Sequence, residues 1–188
     1  GLTELPASTI RNQVSNGARA MVKVAWGIDE HEPAFAAARQ RLLDEYLATI
    51  GMHTQLFEGL ERSLLWCEQQ QVPWGIVTNK PRLYSEALLA NMGLEERCAV
   101  LVCPDDVANT KPDPEPILLA CKQISVRPSQ CLYVGDHQRD IDAGAAAGCT
   151  TMAVCFGYID SPDIAHSWHA DIVIEQPNQL FDHLTETL

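Results

Sequence analysis

No apolar run in the sequence approaches the roughly 18 residues that cross a bilayer, which excludes a membrane-spanning helix of ordinary composition. No basic-then-apolar leader opens it, so a secretion signal is not expected in these residues. Basic residues are scarce. The 13 lysines and arginines stand against 25 aspartates and glutamates, a formal net charge of −12 that disfavours nucleic acid and anionic membrane as partners. A small anionic substrate stays compatible, because a local cluster of lysine and backbone N–H groups overrides the global field at close range. There is no C-x-x-C pair, and the cysteine count of 7 is odd. Most of these cysteines sit in apolar runs, so buried thiols in a reducing cytoplasm are expected, not a disulfide frame or a zinc site. Repeats and low-complexity linkers are also missing.

What remains is an ordinary globular chain, 46% apolar and 20% charged, whose 188 residues suit one core domain with a small appendage. Its texture changes near residue 55. Before that point the pattern is helical. Ser8 or Thr9 is placed to cap a first helix carrying Ile10 and Val14. Asn16-Gly17 breaks the pattern, and Ala18, Met21, Val22 and Ala25 resume it until Gly27. Phe35, Ala38, Leu42, Leu43, Tyr46, Leu47 and Ile50 form a cleaner stripe ending at Gly51. Residues 56–188 alternate short apolar runs with helical patterns, the signature of an α/β fold with a parallel sheet. Strands are expected at 75–78, 99–103, 131–135, 150–156 and 171–174. In such sheets the ligand crevice lies at the carboxyl ends of the strands.

Three features fall at strand ends or helix starts. Asp136 and Asp140 follow the third expected strand, one helical turn apart. Two oxygen donors so placed suit Mg²⁺. Thr78, Asn79 and Lys80 follow the first strand, where a hydroxyl and free backbone N–H groups can meet phosphate oxygens. Lys111 precedes Pro112-Asp113-Pro114, a stiff turn that holds one positive charge in a fixed place. Alone, each fits a plainer reading at least as well: a helix cap with a solvated acid, a strand-end turn, an exposed loop lysine.

Together, in this order, they form a specific combination. It resembles three signature motifs of the haloacid dehalogenase superfamily, with wording like its phosphoglycolate phosphatase branch. The likeness runs through residues 103–122, 133–144 and 156–159, and reaches back to 17–22. The resemblance implies a Rossmann-like parallel-sheet core with a small all-helical cap, the cap at residues 1–55 and the core at 56–188. It implies a Mg²⁺-dependent phosphatase acting through an aspartyl-phosphate on a small phosphorylated metabolite, phosphoglycolate or a phosphosugar. Thr78 and Asn79 would hold a phosphoryl oxygen with Lys80 beside them. Lys111 would bridge nucleophile and phosphoryl group. Asp136 and Asp140 would ligate Mg²⁺. Gly17, Ala18 and Arg19 would face the site from the cap, Arg19 able to meet a substrate carboxylate. Lys23 and Trp26 would help select substrate.

The family's first motif, Asp-x-Asp-Gly-Thr, has no counterpart in the 188 residues. In the family it ends a strand lying between those that here end at Thr78 and Gly135, so the sequence is expected to begin inside the cap. A phosphate-binding relative without turnover is therefore a rival reading. A phosphoglucomutase or dehalogenase is another, the latter disfavoured by the Asp136/Asp140 pair. His137 stands where an acidic residue is expected and is given no catalytic role. Tyr158 and Trp168 follow the last motif and are placed to flank the site, with ordinary packing the favoured reading.

Overall fold

The computed structural model describes residues 5–159 and 161–187. Three helices come first: α1 (Ala7–Val14), α2 (Gly17–Trp26) and α3 (Phe35–Thr49), with α1 packed on α2 and α2 on α3. The first helix starts after Pro6 without a side-chain cap, so Ser8 and Thr9 lie inside its first turn and not at its end. Pro6 sets the extended backbone needed there and has no N–H to satisfy. Gly17 opens α2 at φ +77, a conformation that any Cβ would strain, and Gly27 closes it in the left-handed region. Along α3 the expected stripe holds in graded form. Phe35 is buried, Leu42, Leu43 and Leu47 are half-buried, and Tyr46 is exposed.

The remainder is α/β. Helix α4 (Leu60–Gln69) leads to strand β1 (Gly75–Val77), helix α5 (Arg82–Asn91) and strand β2 (Val100–Val102). Helix α6 (Glu115–Gln123), strand β3 (Leu132–Gly135), helix α7 (Gln138–Ala147) and strand β4 (Thr150–Val154) follow. Strand β5 (Ile172–Ile174) and helix α8 (Asn178–Thr187) end the chain's described part, with α8 packed on α4. All strand pairs are parallel. A parallel pair needs a crossover, and helices supply it between β1 and β2 and between β3 and β4.

Among the described residues the strands form two sheets, β1-β2 and β3-β4-β5, with no strand joining β1 to β3. Side chains meet across this junction instead. The Val77 carbonyl accepts from Lys111 Nζ at 2.7 Å and from the Tyr133 hydroxyl at 3.4 Å. Helices α6 and α7 also tie the halves together through Ile117, Cys121, Ala143 and Cys149, with Val77 and Tyr133 packed against them. Ile117 and Ile141 are each 2% exposed. Burial on that scale contributes about 2 kcal/mol per side chain. Trp168, 6% exposed, packs on Ile141, Ala153 and Cys155. Leu65, next to Leu64 in α4, and Leu118, next to Ile117 in α6, are each 43% exposed. In α4 the buried positions are Ser63 and Cys67.

Candidate functional site

Strands β1 and β3 lie in the two different sheets, and the residues after them carry the polar groups. Asp136 follows β3 directly. Its Oδ2 accepts from the Tyr158 backbone N–H at 2.8 Å, so its carboxylate is held by the turn after β4. It does not cap α7. His137 does, its Nδ1 accepting from the Arg139 N–H at 3.2 Å. Asp140 is 7% exposed, which removes the reading of a solvated first-turn acid. A carboxylate so buried needs a partner, and Lys111 provides it: Nζ lies 2.8 Å from Asp140 Oδ1.

Lys111 is fixed from several sides. Its ammonium donates to Val77 O and lies 5.7 Å from the Tyr133 ring centroid. Its own carbonyl accepts from Asn79 Nδ2 at 2.9 Å. Downstream, Glu115 accepts from the Ala108 and Asn109 N–H groups at 3.0 and 2.9 Å and pins the loop that delivers the lysine. Those N–H groups, Ala108 first, hold the Glu115 carboxyl below its ordinary value. Burial, reinforced by the Asp140 charge, holds the Tyr133 phenol well above its ordinary value, so it stays a neutral donor.

Thr78 Oγ1 accepts from the Lys80 N–H at 3.1 Å, which folds the strand end into a tight turn. The buried Oδ1 of Asn79 has no hydrogen-bond partner, an acceptor left over beside Lys111. Lys80 goes elsewhere. Its ammonium donates to the Tyr46 hydroxyl and lies over that ring, linking the α/β part to α3. No hydrogen bond or ion pair among the described residues ties it to Lys111, Asp136 or Asp140.

Two glycines make room for the carboxylates. A Cβ on Gly135 would lie 2.2 Å from Asp140 Cβ, and one on Gly157 would lie 2.3 Å from Asp136 Oδ2. Gly135 belongs to the Gly-Asp-x-x-x-Asp run seen in the sequence, whereas Gly157 and Tyr133 were not singled out there. The signal for Gly157 was its place just after a buried strand in the same chain layer as Asp136. That for Tyr133 was its position two residues before Gly135.

Asp136 also borders a cavity of about 140 Å³ between the helical and α/β parts, lined by Ser15, Asn16, Tyr158 and Trp168 among others. Asn16 reaches a second cavity of about 310 Å³ within the helical part, lined by Arg19 and Lys23. There Arg19 pairs with Glu30 at 3.3 Å and Lys23 with Asp29 at 2.7 Å, all four well exposed. Gly17 and Ala18 open α2 and are not among the residues lining either cavity. Direct contacts thus join Asn79, Lys111 and Asp140, with Thr78 and Asp136 beside them in sequence at the strand ends, while Lys80 pairs with Tyr46 and Arg19 with Glu30.

Among the described residues no three His, Cys, Asp or Glu side chains gather as a metal cage. Mg²⁺ does not need one. It is commonly held by one or two carboxylates, with water and substrate oxygens in the remaining positions. The hard donors of Asp136 and Asp140 fit that pattern.

The haloacid dehalogenase-like hydrolase family model matches residues 2–154. An N-acetylmuramic acid 6-phosphate phosphatase of Pseudomonas putida is 43% identical over 180 residues, covering 96% of this chain and 81% of that protein. A phosphoglycolate phosphatase of Xanthomonas campestris pv. campestris is 42% identical over 186 residues, covering 97% and 82%. A solved structure described as a predicted phosphoglycolate phosphatase of Haemophilus somnus superposes with a TM-score of 0.85 at 21% identity, covering 98% of this chain and 84% of that one, a likeness of fold. The chain belongs to the haloacid dehalogenase-like hydrolase family.

Proposed function

We propose that this chain binds phosphate and metal as a Mg²⁺-dependent phosphomonoester hydrolase that acts on a small phosphorylated metabolite. One observation carries the reading: Lys111 is buried at the junction of the two sheets, ion-paired to Asp140, with Asn79 tied to its backbone. A nearly buried cation paired with one carboxylate, with a second carboxylate four residues before that one in the chain, suits a group that is itself anionic and metal-bound. The names of the relatives suggest phosphoglycolate or a phosphosugar such as N-acetylmuramic acid 6-phosphate.

Each residue has a task. Thr78 Oγ1 and the backbone after β1 orient the phosphoryl oxygens. Lys111 neutralises part of their charge and screens them from Asp140. Asp136 and Asp140 would hold Mg²⁺, which when bound supplies Lewis-acid stabilisation of the phosphoryl group. Asn79 keeps the Lys111 loop against β1. Residues 1–55 act as a cap over this site, where Gly17 and Ala18 give the turn and Arg19, Lys23 and Trp26 select the leaving group. Lys80, through Tyr46, ties that cap to the core. The aspartyl-phosphate route needs a nucleophilic aspartate from the Asp-x-Asp-Gly-Thr pattern, which is not among the 188 residues. That observation favours a second reading for these residues by themselves, phosphate binding without turnover. No helix among the described residues is long and apolar enough to cross a membrane. All seven cysteines are free thiols, which suits a reducing compartment such as the cytoplasm.

The test is Mg²⁺-dependent phosphate release from an aryl phosphate, with Asp136→Asn alongside. Release that needs Mg²⁺ and is lost in the variant supports the hydrolase. No release, with inorganic phosphate bound in a Mg²⁺-dependent way, supports the second reading. Release unaffected by chelation or by Asp136→Asn sinks the assignment of the metal site.

A further inference from the structure

We propose that α1 positions the metal-binding carboxylate of Asp136, with Arg11 and Ser15 acting as positioning residues through the turn at 157–158. The proposal rests on the reading that Asp136 holds Mg²⁺. Its own observations are a continuous set of contacts. The Arg11 guanidinium donates to the Gly157 carbonyl at 3.1 Å and lies 4.7 Å from the Tyr158 ring centroid. Ser15 Oγ donates to the Tyr158 carbonyl at 3.0 Å. The Tyr158 N–H in turn donates to Asp136 Oδ2 at 2.8 Å. Two consecutive carbonyls of the turn are thus gripped by one helix, and the amide between them grips the carboxylate.

The turn has little freedom to take up a displacement. Gly157 is buried and passes so close to Asp136 that a Cβ would stand 2.2 Å from the aspartate Cβ. A shift of the turn therefore moves Asp136 or breaks its hydrogen bond. Arg11 and Ser15 lie 146 and 143 positions from their partners. Arg11 lies in α1 and Ser15, four residues on, caps its C-terminus with helical backbone angles, so they share one face, which lies against the turn. A ligand held through a hydrogen-bonded partner loses typically 10–100-fold in metal affinity when that partner is removed. An α1 that leaves the turn would loosen Asp136, and one that docks would fix it. Cap position and metal affinity become linked quantities.

The experiment is calorimetric titration of Mg²⁺ into the 188-residue chain, into Arg11→Met/Ser15→Ala and into Asp136→Asn, with a thermal melt of each without metal. Binding by the wild type that is lost in Asp136→Asn establishes the underlying reading. The expected result is then an approximately 10-fold weaker Mg²⁺ Kd in the double variant, with Ser15→Thr, which keeps the hydroxyl, staying near the wild type. A double variant that melts lower and binds Mg²⁺ as tightly as the wild type overturns the positioning role and leaves a purely structural contact. Wild type and Asp136→Asn binding Mg²⁺ alike, or neither binding it, overturns the reading of Asp136 and the proposal with it.

Discussion

The ammonium of Lys111 stands 2.8 Å from Asp140 Oδ1, and the two side chains are 9% and 10% exposed. Neither charge has much water to fall back on. Removing one partner of such a pair leaves the other buried and uncompensated, which costs about 3 kcal/mol or more. Lys111→Met and Asp140→Asn are each expected to lower the unfolding free energy by about that amount in urea denaturation. The two changes share one interaction, so the double variant should lose at least 1 kcal/mol less than their sum, roughly. Strict additivity would mean that the pair is not coupled as its geometry indicates.

Gly135→Ala and Gly157→Ala test space alone, because neither glycine has a positive φ. The added methyl meets Asp140 in the first case and Asp136 in the second, at 2.2 Å from the aspartate Cβ in both. Overpacking of this kind costs about 1–3 kcal/mol. Gly135→Ala should show most of its effect as lost stability, since Asp140 is buried and locked to Lys111. Gly157→Ala should show more of it as weakened Mg²⁺ binding, since Asp136 borders the cavity and has room to turn away. Melting curves and Mg²⁺ titration of the two variants check this division, which equal effects on both measurements would overturn.

Much of the fold was legible because its signals are local. All five strands fall where short apolar runs end in turn residues, and parallel pairing follows from the helical patterns between them. Thr78, Asn79, Lys111, Asp136 and Asp140 could be picked out in the sequence because they sit at strand ends or close to a helix start. The contacts that hold them could not. Tyr158 reaches Asp136 through a backbone amide, which leaves no mark on side-chain pattern. Lys80 looked like a phosphate ligand by its neighbours in sequence, and its long flexible stem carries the charge to Tyr46 on α3 instead. Leu65 and Leu118 show the limit of periodicity: a helix covered on one narrow face leaves the next leucine in water.

Cys121, Cys131 and Cys149 gather between α6, β3 and α7, with the first two sulfurs 3.6 Å apart. Burial, followed by the neighbouring Cys121 thiol, pushes Cys131 up to about 12. Burial first and Cys121 next push Cys149 up to about 11. Thiolate is the reactive form, so both should resist iodoacetamide at pH 8 in the native protein and react once it is unfolded in guanidinium. In the unfolded chain these thiols titrate near their ordinary value, about 8.5. The unfolded state therefore releases protons first, and their contribution to stability is intact below that value and declines as pH rises toward 11–12. Urea midpoints at pH 8 and pH 10 should differ less in Cys131→Ala than in the wild type. Rapid native alkylation at pH 8 would contradict the burial.

The acid side has the opposite sign. Asp171, just before β5, accepts from the Thr151 N–H and from its hydroxyl, both at 2.8 Å. The backbone N–H first, then the hydroxyl, hold its carboxyl below the ordinary range. Thr151 is 1% exposed in β4, so this is the contact that aligns the edge strand with the sheet interior. Below the ordinary carboxylate pKa, about 4, the unfolded chain takes up a proton that the folded Asp171 still refuses. The stabilisation is fully present above that pH and disappears as pH falls toward the depressed folded value. Asp171→Asn should therefore unfold at lower urea than the wild type at pH 7, and the two curves should converge as pH drops below about 4. A constant gap across that range would show that the contribution comes from the shape of the side chain and not from its charge.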